Sequence, residues 1–251
     1  MNHQDARRAF LTIAGAGALL AACRKETQAE PERSAAPGAS SAAPADSARD
    51  SNRSADVSAT EDLMREHGVI RRILVVYRQS ASSLRANAAS VSLAGIQRAA
   101  KLMRSFGEDY HEKQLEEAYL FPAVKAAGGA AAAEIDTLLA QHQRGREITD
   151  YILAVTQRPI GTAAEPLART LDTFCLMYEE HTAREDTIIF PAWKKALSPK
   201  QLDEMGDRFE DIEHQTFGKD GFEDAVAQMA AIERTLALAP AALTAPPPPK
   251  V

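Results

Sequence analysis

His111-Glu-Lys-Gln-Leu-Glu116-Glu-Ala-Tyr-Leu-Phe121-Pro122 is echoed seventy residues later by His181-Thr-Ala-Arg-Glu185-Asp-Thr-Ile-Ile-Phe190-Pro191. Each copy sets a histidine about one helical turn before a glutamate, then an apolar run, then Phe-Pro. An imidazole and a carboxylate on one helix face can hold a transition metal. Two copies point to two metals, or to one dinuclear centre on a pseudo-symmetric helical scaffold.

The surrounding sequence supplies that scaffold. Aromatics make up 6% of the 251 residues, and Ala, Leu, Glu, Arg and Gln dominate, which favours helix over strand. From residue 58 onward the apolar period is helical. Leu63, His67, Ile70, Leu74 and Tyr77 share one stripe of a first helix expected over 59–86. A second is expected over 91–126. A third, over 130–157, carries Ile135, Leu138, His142, Gly145 and Ile152 on one face. A fourth, over 163–196, runs Leu167, Leu171, Phe174, Tyr178, His181, Glu185, Ile188, a 4-3 seam with two ligand-type residues inside it. Gly128-Gly129 and Pro159-Ile-Gly161 are short breaks, so neighbours should be antiparallel. The expected fold is all-α, an up-down-up-down four-helix bundle over 58–240. Ser198-Pro199 should cap a further C-terminal helix near 199–215, interrupted by Gly218 and Gly221 and followed by an amphipathic piece to Leu238.

The ends read differently. Residues 1–22 have a charged start with Arg7-Arg8, a short apolar run and Leu20-Ala21-Ala22-Cys23, which resembles a twin-arginine export signal ending in a bacterial lipobox. Lipidation of Cys23 would anchor the mature chain in a membrane; an uncleaved N-terminal anchor is the alternative. The expected location is therefore the cell envelope, facing periplasm or exterior. Residues 23–57 are Ala-, Ser-, Pro-, Asp- and Arg-rich, a disordered tether, and 241–251 form a Pro-rich tail. The formal charge is −6 with no basic stripe, which argues against a nucleic-acid partner. Two cysteines, Cys23 and Cys175, do not make a disulfide framework, and Cys175 reads as an inert buried thiol.

Of six histidines, His67, His111, His142 and His181 fall one per helix at similar depth, with Glu116 and Glu185 beside the second and fourth. One such histidine alone is ordinarily a buried side chain with a local hydrogen bond. Together with two glutamates on apolar seams, whose burial costs several kcal/mol unless they are paired, a metal is the simplest partner. Four imidazoles and two carboxylates exceed one metal's needs, whereas two metals bridged by both carboxylates use all six. Nitrogen and oxygen donors without thiolate suit iron, with manganese the second choice.

The order His…His…Glu…His…His-x-x-x-Glu with Phe-Pro endings resembles the hemerythrin-like (HHE cation-binding) family, and Gln141-His142-Gln-Arg-Gly145-Arg and Glu213-His214-Gln-Thr-Phe-Gly218 look like one of its bacterial branches. The resemblance spans roughly residues 60–235. It implies a four-helix bundle around two irons, bridged by carboxylates and an oxo or hydroxo group, that meets dioxygen, nitric oxide or peroxide.

Two departures stand out. Oxygen-carrying members place a second histidine four residues after the third-helix ligand, where this chain has Arg146, and the family's fourth-helix aspartate is Glu185 here. The centre should be more open than a reversible carrier's. His214 is either a fifth imidazole, an indirect support or a surface histidine. Glu116 lies five residues after His111, so on a regular α-helix the two would point about 140° apart. A single π-bulge between them would restore a shared face; otherwise Glu112 takes part in coordination. Tyr110, Tyr119 and Tyr178 lie near ligand-bearing turns. A zinc-protease reading fails because Leu115 stands where the second histidine belongs, and a ferritin-like site needs two Glu-x-x-His pairs where only Glu108/His111 is present. Three functions fit: a protein that binds or senses dioxygen, nitric oxide or reactive oxygen species or handles iron, an oxidoreductase fed by an external electron donor, or a bundle stapled by its metal.

Overall fold

The computed structural model describes residues 57–249. The expected export signal, Cys23 and the expected tether as far as residue 56 lie outside them. Among the described residues every regular element is a helix.

Serine caps set the starts. Ser58 accepts the Glu61 N–H and opens α1 (Ala59–Asn87). Ser92 accepts from Gly95 and opens α2 (Leu93–Leu102), which continues without a break through a π-helix, π1 (Met103–Leu120), into α3 (Phe121–Ala127). Gly128 and Gly129, with φ of 74° and 80°, turn the chain where an L side chain would be strained. They launch α4 (Gly129–Val155). A 3-10 turn, Gly161–Ala163, precedes α5 (Ala164–Arg184), which passes through a second π-turn, π2 (Glu185–Ile189), into α6 (Phe190–Ala196). Ser198 and Gln201 form a reciprocal capping box for α7 (Pro199–Phe217), and Gly218 ends it in the left-handed conformation. Asp220 caps α8 (Gly221–Thr235). The Pro-rich end begins with a 3-10 turn, Pro240–Leu243.

The four ligand-bearing rods pack in a ring. The continuous α2–π1–α3 rod packs on α4, α4 on α5, α5 on α1, and α1 on π1. Their apolar stripes meet in a core that includes Leu63, Ile73, Tyr77, Phe106, Ile135, Leu138, Leu171 and Phe174. α7 and α8 cover α1 and the second rod. Phe209 of α7 stacks on Trp193 and Phe217 sits edge-on to Tyr110, while Arg72 forks onto Glu233 of α8. Cys175 is buried, donates to the Leu74 carbonyl, and burial pushes its thiol up to about 12, as an unreactive thiol should be. No helix among the described residues is long and apolar enough to cross a membrane.

Two expectations change. The single bulge expected between His111 and Glu116 is instead a π-helix of 18 residues, Met103–Leu120. A second π-turn begins at Glu185, so the seam of the fourth rod slips by one residue. Ile189 rather than Ile188 is buried, because an i→i+5 turn uses one residue more than an α-turn to return to the same face.

Candidate metal centre

The four histidines and two glutamates singled out by their spacing converge in the middle of the bundle, none more than 2% exposed. His67 comes from α1, His111 and Glu116 from π1, His142 from α4, His181 from the last turn of α5, and Glu185 from the first residue of π2. Glu116 spans two imidazole pairs: its Oε1 lies 3.4 Å from His111 Nε2 and its Oε2 lies 3.4 Å from His142 Nε2. Glu185 does the same from the other side. Its Oε2 is 3.1 Å from His181 Nε2 and 3.5 Å from His67 Nε2, and its Oε1 is 3.9 Å from His142 Nε2. Donor atoms fall into one group of Glu116, His142, His181 and Glu185 and another of His67, His111 and Glu116, with Glu116 common to both, and a third group of Glu112, Glu117 and His142 lies on the Nδ1 side of the His142 ring.

The orientation of the rings comes from residues that the spacing did not single out. His67 Nδ1 donates to Asp186 Oδ1 at 2.7 Å, His111 Nδ1 to Glu66 Oε2 at 2.5 Å, His142 Nδ1 to Glu117 Oε1 at 2.9 Å, and His181 Nδ1 to Gln141 Oε1 at 2.9 Å. The pattern obeys a pseudo-twofold relation. The residue after each glutamate orients the histidine of one rod, and the residue before each odd-rod histidine orients that of another. Arginines four residues after His67 and His142 close the scheme. Arg71 pairs with Asp186, and Arg146 pairs with Glu117. The signal was present in the sequence as Glu66-His67 against Gln141-His142, and as Glu116-Glu117 against Glu185-Asp186.

These acceptors fix the tautomer. Each Nδ1 carries the proton, so each Nε2 presents a lone pair inward. His142 Nε2 and His181 Nε2 face each other at 3.0 Å. Both oxygens of Glu116, both of Glu185 and His111 Nε2 are buried without a hydrogen-bond donor. Uncompensated, such burial costs several kcal/mol per ion; a cation among these atoms satisfies all of them. The electrostatics agree. Burial opposes ionisation of Glu185, yet His181 and His67 hold its carboxyl below the ordinary range, and burial opposes charge on His142 while Glu112, Glu116 and Glu117 raise its proton affinity well above the usual value. Positive charge is wanted at this point of the fold.

A hemerythrin HHE cation-binding domain model matches residues 58–193, the stretch that contains every one of these side chains. The chain belongs to the hemerythrin HHE cation-binding family. Uncharacterized proteins of Mycobacterium bovis and of Mycobacterium tuberculosis are each 42% identical to it over 180 residues, covering 70% of this chain and 69% of theirs. No solved structure matches it.

Within this hemerythrin-like bundle the remaining candidates sit apart. Glu112 stands on the Nδ1 side of His142, at 4.0 Å, where its Oε1 accepts from the Tyr178 hydroxyl at 2.7 Å and its Oε2 from Arg146 at 3.2 Å. It does not face the inward Nε2 atoms. His214 is exposed on α7 and belongs to none of the donor groups. Tyr119 accepts from Arg208 toward the surface, and Tyr110 packs on Phe106 and Phe217. Phe121 stacks on His142 at a centroid distance of 5.4 Å, and Phe190 on His67 at 5.2 Å, so the two Phe-Pro endings each cover an imidazole.

Proposed function

We propose that this protein holds two iron ions between the four imidazoles, bridged by Glu116 and Glu185, and binds dioxygen, nitric oxide or peroxide at that centre while tethered to the cell envelope through Cys23. The observation that carries the reading is the reach of Glu116 to an imidazole of both pairs, with both its oxygens otherwise unsatisfied. In this reading His67, His111, His142 and His181 are the nitrogen ligands, and the four rods form an up-down-up-down bundle. Nitrogen and carboxylate donors without thiolate favour iron over softer metals, with manganese next. Iron, when bound, supplies Lewis acidity and one-electron redox chemistry. Six protein donors would leave two such ions with open positions for a small ligand. The chain's own part is to keep those positions dry, with Phe121 and Phe190 lying over two of the rings.

A second reading, turnover of peroxide with electrons from an external donor, is favoured by one feature. Arg146 occupies the position where oxygen carriers have a further imidazole, and the buried Tyr178–Glu112 pair beside it can hold or pass a proton. Metal analysis with an optical spectrum of the aerobically purified protein tests the common premise. Two irons per chain with oxo-to-iron charge-transfer bands are expected, and a chain free of transition metal after growth in iron-rich medium would overturn it. Mixing the reduced protein with excess peroxide then separates the readings. Peroxide consumed over many cycles indicates turnover, and a stable adduct indicates binding. Inertness to both, with loss of helicity on chelation, would leave the metal as a staple.

A further inference from the structure

The pseudo-twofold relation of the centre breaks at one position. Asp186 and Glu117 are matched, each an arginine-paired carboxylate behind an imidazole. Glu66 and Gln141 occupy matched positions as well, each directly before an odd-rod histidine and each accepting the Nδ1 proton of the next rod's histidine. One is an acid and the other an amide. Glu66 is 1% exposed and bonds His111 at 2.5 Å; Gln141 is half-buried and bonds His181 at 2.9 Å.

The direct donors are similar though not identical: each half presents two imidazoles and one oxygen of Glu116, while Glu185 groups with His142 and His181 and has its Oε2 3.5 Å from His67 Nε2. Glu112 adds no fourth carboxylate hydrogen bond to a ring, because its oxygens accept from Tyr178 and Arg146. A carboxylate acceptor behind a ligating imidazole draws the Nδ1 proton toward itself and makes Nε2 a stronger donor; an amide oxygen does so weakly. Both rings of the His67/His111 half have carboxylate acceptors, against one of two in the His142/His181 half.

We propose that the two cation positions are unequal, and that the ion between His67 and His111 is held more tightly than the ion between His142 and His181. The last position to fill and the first to empty is then the one beside Arg146. Glu66 and Gln141 are the positioning residues that set the difference. The inference rests on the two-cation reading above.

Anaerobic titration of the chelator-stripped, full-length protein with cobalt(II), read by absorption and by competition with a chelating dye, tests it. Two steps are expected. Glu66→Gln should weaken the tighter step about 10- to 100-fold and leave the weaker one nearly unchanged. Gln141→Glu should strengthen the weaker step by about 10-fold and bring the two together. Should either variant fail to fold, judged by circular dichroism of the metal-free protein, the other still decides. Equal steps in the wild type, or a Glu66→Gln effect confined to the weaker step, would overturn the inequality and leave the dinuclear reading standing. Binding of fewer than two cobalt ions per chain overturns both.

Discussion

The backbone N–H of Phe121 donates to the carbonyl of Glu116, five residues earlier, and Phe190 donates to Glu185 in the same way. This π-type bond explains why the two Phe-Pro endings sit where they do. Proline has no N–H, and its ring collides with the carbonyl four residues back in an α-helix, so Pro122 and Pro191 favour a wider turn just before them. The widened turn lets one short stretch act three times. Glu116 faces the imidazoles, Glu117 takes the Nδ1 proton of His142, and Phe121 stacks on that same ring. Glu185, Asp186 and Phe190 repeat the set around His67. Phe121→Ala should therefore both open a core cavity and uncover His142. Denaturant unfolding of the metal-free protein should show a loss of about 3–5 kcal/mol, and the metal-loaded variant should release metal to a chelator faster than wild type. Unchanged release would mean that the stacked ring does not shield the centre.

The helices and the converging ligands were legible because apolar periodicity and an internal repeat are local signals. His67, Leu63 and Ile70 share a stripe whatever their neighbours do. The orienting residues were not legible by the same means. Glu66, Glu117, Gln141 and Asp186 flank the ligands at positions that a helical wheel places off the seam, and they matter only because a ring from another rod arrives opposite them. The length of π1 was hidden for a related reason. A window that assumes an α-helical period sees one misplaced glutamate, Glu116, and infers one bulge, whereas the structure spreads the wider winding over Met103–Leu120. At Glu185 nothing looked misplaced, since His181 and Glu185 are a normal α-helical pair, and the π-turn starts only there.

Arg146 holds Glu117 and Glu112 together, whereas Arg71 holds Asp186 alone and is more exposed. Removing the support of a ligating histidine typically lowers metal affinity about 10- to 100-fold. Arg146→Ala is expected in that range and Arg71→Ala nearer its lower end, both with the helical circular dichroism of the metal-free protein intact. Competition with a chelating dye measures the ranking. Equal, negligible effects would show that the carboxylates keep their places without the guanidinium groups.

Gly145 is needed by the tyrosine across from it. A Cβ at this position would lie 2.0 Å from the Tyr178 hydroxyl and 2.8 Å from its Cζ. Tyr178 is fully buried, stacked on Phe174 and bonded to Glu112, so it cannot swing aside. Gly145→Ala should destabilise the bundle by about 1–3 kcal/mol through overpacking, despite alanine's better helix propensity. Tyr178→Phe in the same chain should recover only part of this, because the ring carbon stays too close. Full recovery in urea unfolding would place the clash at the hydroxyl alone.

Glu108 is the buried acid with the clearest pH signature. It accepts from Thr149, and Arg104 Nη1 lies 3.1 Å from its Oε2 without hydrogen-bond alignment. Burial first, and then Glu112, push its carboxyl from the ordinary 4.5 up to about 7. The folded chain therefore binds this proton more tightly than the unfolded chain does. Its stabilising effect is complete below about pH 4.5 and is lost as pH rises through about 7, a decline of roughly 3 kcal/mol. Glu108→Gln keeps an acceptor for Thr149 and cannot ionise. Unfolding free energies of the metal-free protein should be similar for the two chains near pH 5, and higher for the variant at pH 8. A wild-type curve that runs parallel to the variant's across that interval would show that Arg104 keeps Glu108 ionised in the folded state.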